Sequence, residues 1–135
     1  MRWNVNGRDV WHPDNKYRIK WDRKAPSKGA QTVKDFLKKH CSAYVWYEEF
    51  RLPSCLLRVD FLSPTKKIAI EFQGKQHDNF SKHFHKDRSG YLAHIKRDMK
   101  KLDFLSKNGY TVIEITDNDF PLTRQFFIDT YQINL

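Results

Sequence analysis

Cysteine is scarce in this chain of 135 residues: Cys41 and Cys55 are the only two. They lack CxxC spacing and are too few for a disulfide framework, so both are expected to be reduced, partly buried small hydrophobes. Long apolar runs are missing too. Met1-Arg2-Trp3-Asn4 opens no apolar core of a signal peptide, and no later stretch is long enough to span a bilayer. Nor does any segment combine a strong apolar face with a dense basic one at the length needed to lie on a membrane, so no membrane partner is expected. Internal repeats and low-complexity segments are absent. Acidic residues are in the minority, with 16 Asp+Glu against 25 Lys+Arg, a net charge of +9 and a pI near 9.6. A domain this basic meets a polyanion, and nucleic acid is the first candidate.

The length suits one domain with a modest core. Residues 1–28 form a basic, aromatic arm, with eight Lys/Arg against three Asp (net +5) alongside Trp3, Trp11, Tyr17 and Trp21. It has no sustained period, which suggests short or irregular structure. Such a mixture suits base stacking and phosphate contact through Arg18, Lys20 and Arg23, or else the tryptophans pack back onto the core. Residues 29–135 read as a single domain. Ser27-Lys28-Gly29 looks like a helix start, with Val33, Phe36 and Leu37 at i, i+3, i+4 over roughly 29–40. Strands follow at Ala43–Leu52, Leu56–Leu62 and Lys67–Gln73, then a polar loop from Gly74 to about Ser89. A helix over about 90–108 carries Tyr91, Ile95, Met99 and Leu102 as its apolar stripe and stops at Gly109. Tyr110–Thr116 is a last strand, and a short helix begins near Pro121. This order predicts an α/β fold, a central mixed sheet of about four strands flanked by helices.

Within that frame two acids stand in otherwise apolar strands. In Arg58-Val59-Asp60-Phe61-Leu62, alternation puts Val59 and Phe61 on one face and Asp60 on the other. In Ile68-Ala69-Ile70-Glu71-Phe72-Gln73, Glu71 and Gln73 share the face opposite Ile68, Ile70 and Phe72. With Ser63-Pro64-Thr65-Lys66 as the turn, antiparallel pairing brings Asp60 and Glu71 toward one divalent cation. Mg²⁺ or Mn²⁺ prefers such oxygens and keeps waters able to attack a phosphodiester; no organic cofactor is implied. His77, at the end of Gln73-Gly74-Lys75-Gln76-His77, titrates near neutrality and suits a general base or a phosphate contact. His77, His83 and His85 give only a weak zinc signal. Asp98 sits on the flank of the second helix's stripe, either aimed at the site or in an i,i+3 pair with Lys101. From Lys75 to Lys101 eight Lys/Arg face three Asp, a net of +5. Lys75, Lys82, His85, Arg88, Lys96, Arg97 and Lys101 are the phosphate-binding candidates.

Arg58-Val59-Asp60-Phe61, Ile70-Glu71-Phe72-Gln73-Gly74-Lys75-Gln76-His77, Lys96-Arg97-Asp98 with Lys101, and Gly109-Tyr110-Thr111-Val112-Ile113-Glu114-Ile115 together resemble the PD-(D/E)XK nuclease superfamily. Within it the chain is most similar to the very-short-patch-repair-like branch that includes phage homing endonucleases. The resemblance covers roughly residues 27–116 and leaves the arm outside. It implies a restriction-endonuclease-like core and metal-assisted DNA hydrolysis in the cytoplasm of a bacterial or phage-infected cell. By position, Asp60 matches the metal-binding aspartate and Glu71 the second acid, aided by the Phe72 carbonyl. Gln73 stands where the superfamily commonly has lysine, His77 matches the branch's active-site histidine and Asp98 its helix-borne aspartate. Relatives often carry a glutamate early in the first helix, where Ala30 and Gln31 stand here. That departure supports an alternative: a catalytically weak or inactive nucleic-acid-binding module on the same scaffold. A junction- or RNA-directed nuclease differs only in substrate, and a homodimer would let a single-site chain cut both strands.

Overall fold

The computed structural model describes residues 1–53, 57–74 and 88–135, and within 88–95 the helix backbone alone. Cys55, Lys75, His77, Lys82, His83 and His85 therefore lie outside the described residues, as do the side chains of Arg88, Tyr91 and Ile95.

Two short strands, β1 (Arg2–Val5) and β2 (Arg8–Trp11), make an antiparallel hairpin. Its turn is Asn6-Gly7, with φ of 53° and 83°, a pair that reaches left-handed backbone at little cost. A single 3-10 turn, Asn15–Tyr17, follows. Helix α1 (Lys28–Cys41) starts where the Ser27 side chain accepts from the Ala30 N–H at 3.1 Å. Strands β3 (Tyr47–Arg51), β4 (Arg58–Ser63) and β5 (Ile68–Phe72) form an antiparallel meander. The chain then crosses through α2 (Arg88–Lys107) to β6 (Thr111–Ile115), which pairs parallel with β5, and ends in α3 (Arg124–Tyr131). The sheet order is β3-β4-β5-β6. A mixed four-stranded sheet with three helices bears out the α/β reading. No helix among the described residues is long and apolar enough to cross a membrane.

The sheet is buried on both faces. Ile68, Ile70, Ile113 and Ile115 meet α1 through Val33, Phe36 and Leu37, with Phe127 of α3 closing that layer. On the other face Ala69, Leu62, Val59 and Phe50 pack with Leu105 and with Trp3 of the hairpin. Trp3 is 1% exposed, its ring 5.3 Å from Tyr110 and 5.6 Å from Phe104, whereas Trp11 is 61% exposed. Of these two arm tryptophans, only Trp11 has a free ring face for a base. Asn108 ties the hairpin to the end of α2: its Oδ1 accepts from the Asn4 N–H at 2.7 Å and its Nδ2 donates to the Asn4 carbonyl at 3.1 Å.

Two expectations need correcting. Val59 and Phe61 do not share a face: Val59 packs on the α2 side and Phe61 on the α1 side. Tyr47 and Phe50 on β3, like Val59 and Leu62 on β4, are three residues apart yet on one face, so both strands break their alternation together. The break falls at Glu49, whose φ is 50°, and at Asp60 opposite it. Left-handed backbone at a non-glycine costs on the order of 1 kcal/mol. The second correction concerns α2. Met99 and Leu102, expected in its buried stripe, are 65% and 50% exposed. The helix instead turns Lys101, Phe104, Leu105 and Asn108 toward the sheet and hairpin (i, i+3, i+4, i+7). The first position of the true stripe is a lysine, which hid it from a search for apolar residues.

Candidate active site

The alternation break decides where Asp60 points. The β4–β5 ladder reads Phe61↔Ile70, Leu62↔Ala69 and Ser63↔Ile68, so the strands part beyond Phe61. There the Asp60 side chain leans across the gap and its Oδ2 accepts from the Phe72 N–H at 2.8 Å. A carboxylate thus takes the place of a backbone acceptor. On β5 regular alternation sends Glu71 to the α2 side together with Ala69, and Lys101 meets it there, Nζ 2.7 Å from Oε1.

The bond from the Phe72 N–H brings the Asp60 carboxyl next to Glu71 on the neighbouring strand, close enough for each acid to act on the other's titration. Burial pushes Glu71 up to about 7; the charges of Asp60 and Asp98 push the same way, and Lys101 opposes them. Burial also raises Asp60, against the pull of the Phe72 N–H, Lys101 and Glu71. The physical content is a charge deficit. One buried and one half-buried carboxyl against one ammonium leave the site short of positive charge, an arrangement that favours a proton or a cation there. Hard, adjacent oxygens at a partly open strand fork suit a divalent ion.

Two clefts flank the fork. One, of about 250 Å³, is lined by Asp60, Ala30, Glu49, Arg58, Arg23 and Lys24. The other, of about 220 Å³, is lined by Glu71, Gln73, Asp98, Lys101, Met99 and Glu114. The fold therefore gathers five of the predicted residues: Asp60, Glu71, Gln73, Asp98 and Lys101. Among the described residues, no three His, Cys, Asp or Glu side chains group closely enough to hold a metal among themselves. Ala30, at the start of α1, lines the Asp60 cleft without offering an oxygen.

The cationic candidates divide by location. Lys96 and Arg97 are exposed on α2, and Lys100 adds to them. Arg18 and Lys20 are exposed on the arm. Arg23 is committed to protein: its Nη2 donates to Glu48 Oε1 at 2.7 Å. Glu48 also receives Lys34 of α1, Nζ to Oε2 at 2.7 Å, and Lys34 is 1% exposed. The sequence reading missed this cluster, although Lys34 occupies a core position of α1 between Val33 and Leu37. Gly29 was read only as part of a helix start. A Cβ there would lie 1.9 Å from Phe72 Cζ. The Phe72 ring rests on bare α1 backbone and stacks on Phe120 at 5.7 Å, fixing the residue between Glu71 and Gln73.

Comparison with known proteins adds little chemistry. No family model matches, and no solved structure matches. The chain is 36% identical over 67 residues to "Uncharacterized protein 307L" of Invertebrate iridescent virus 6, covering 48% of this chain and 34% of the relative. It is 32% identical over 59 residues to "Uncharacterized protein 033L" of Invertebrate iridescent virus 3, covering 44% of this chain and 30% of the relative. The matched region thus spans about a third of the length of these curated relatives.

Proposed function

We propose that the protein is a metal-dependent DNA endonuclease that hydrolyses phosphodiester bonds. The observation that carries this reading is the strand fork, where the half-buried Asp60 and the buried Glu71 come together, with Lys101 2.7 Å from Glu71. Asp60 and Glu71, with the Phe72 carbonyl, would hold Mg²⁺ or Mn²⁺. When bound, such an ion supplies an acidified water and neutralises charge on the phosphate. Gln73 offers an amide donor in the same cleft to orient water or a phosphate oxygen. His77 is assigned as general base or phosphate contact by its sequence position. Asp98 adds negative charge at the cleft wall and would orient His77 or a water. Lys96, Arg97 and Lys100, exposed on α2, and Arg18 and Lys20 on the arm would meet backbone phosphates.

The test is cleavage of supercoiled plasmid in Mg²⁺ by the wild type, Asp60→Ala and Glu71→Ala. Each substitution is expected to lower the rate on the order of 10³-fold or more while circular dichroism stays native. Wild-type rates in both variants would overturn the assignment. A second reading, a nucleic-acid-binding module without hydrolysis, is favoured by Ala30, which leaves the Asp60 cleft without a carboxylate from α1. It predicts duplex retention in a gel-shift assay and no nicking in Mg²⁺ or Mn²⁺.

A further inference from the structure

Lys101 is held where an ion would sit. Its Cα is fixed by the α2 stripe, with Leu105 one turn further on fully buried. Its Nζ reaches Glu71 Oε1 at 2.7 Å, while its side chain stays 19% exposed at the mouth of the cleft that also holds Gln73 and Asp98. The contrast with Lys34 is instructive. Lys34 is 1% exposed and held by two oxygen partners, Glu48 and the Arg23 carbonyl, so it has nowhere to go. Lys101 has a charged partner inward and open cleft outward, on a flexible four-carbon stem.

Resting on the nuclease reading above, we propose that Lys101 is a tethered counterion. It holds the Asp60–Glu71 pair together in the absence of a divalent cation, gives up Glu71 when that cation binds, and carries its charge outward to the phosphate in the cleft. The argument is one of charge and space. An ammonium and a dication cannot both lie against Glu71 Oε1 without strong repulsion at that range. Whichever binds must displace the other. The two states also differ in where the ammonium is useful: against Glu71 it offsets the repulsion between the two neighbouring acids, and in the cleft it faces the substrate. Gln73 is neutral, and Lys101, 2.7 Å from Glu71, is a cation whose charge acts on both acids. Its positive charge thus reaches the site from α2 rather than from the strand.

Competition makes a prediction of unusual sign: removing a positively charged neighbour should tighten metal binding and yet impair cleavage. Mn²⁺ is titrated calorimetrically, without DNA, into the wild type, Lys101→Ala, Lys101→Gln and Asp60→Ala at pH 8, and plasmid nicking is measured in parallel. Lys101→Ala is expected to bind Mn²⁺ about tenfold more tightly than the wild type and to nick DNA at least about tenfold more slowly. Lys101→Gln, which keeps a donor to Glu71 without charge, should behave alike and serves if the alanine variant does not fold. Equal or weaker Mn²⁺ binding in the folded Lys101 variants, with the wild type binding normally, overturns the counterion role and leaves the nuclease reading standing. Absence of Mn²⁺ binding in the wild type and the Lys101 variants alike overturns both.

Discussion

The two faces of the sheet each carry a glutamate met by a lysine from the helix above, and the two pairs are built to different ends. On the α1 face Glu48 receives Lys34 at 2.7 Å and Arg23 at 2.7 Å, two cations for one acid. On the α2 face Glu71 receives Lys101 at the same distance but also lies against Asp60, two acids for one cation. Both lysines occupy core-facing helical positions, so sequence pattern and geometry match. The charge balance does not. The first cluster has charge to spare and closes on itself, binding residues 20–23 of the arm to β3. The second is short of charge and asks for a ligand. A buried ion pair is weak evidence of function; a buried pair with an unmatched acid is stronger.

Three substitutions test whether this difference is real. Lys34→Ala should cost about 3–5 kcal/mol by urea denaturation, because it strips a buried carboxylate of its buried partner. Glu71→Gln should go the other way at pH 8, stabilising by roughly 1–3 kcal/mol. The sign follows from linkage. Glu71 binds its proton more tightly in the folded chain, at about 7 against the usual 4.5, so native stability falls as pH rises from about 4.5 to about 7 and stays lower above that. The gain from glutamine should therefore vanish below about pH 4.5, and a gain that persists there would mean packing rather than charge is responsible. Arg23→Ala should change stability by less than about 1 kcal/mol, since the Arg23 side chain is 58% exposed and its ion pair is screened. Should Arg23→Ala prove as costly as Lys34→Ala, the α1 cluster would be a surface network and the comparison would fail.

Much of this was legible in the residues. Asp60 and Glu71 announce themselves because a carboxylate inside an apolar strand needs a reason. The three strands around them, α1 and the β5–α2–β6 crossover follow from period and turn chemistry. What escaped reading shares one cause, which is that polar groups and backbone exceptions carry no hydrophobic signature. Lys34 and Lys101 sit in core stripes but count as surface residues in any apolar tally, and that is why Met99 and Leu102 were assigned to the core in their stead. The left-handed turn of Glu49 leaves no trace in composition, yet it parts Val59 from Phe61 and tips Asp60 toward β5. Asn6-Gly7 is the exception: a strong hairpin signal, flanked by strands of only four residues each that show no sustained period.

The clasp of Asn108 on Asn4 reaches across 104 positions of sequence. By lending an amide to β1 as a neighbouring strand would, it makes the opening hairpin a brace for the far end of α2. Lys101 lies two turns up that helix, so its aim is set partly by residues most remote from it along the chain. Trimming the hairpin would then loosen the Asp60–Glu71 site from a distance.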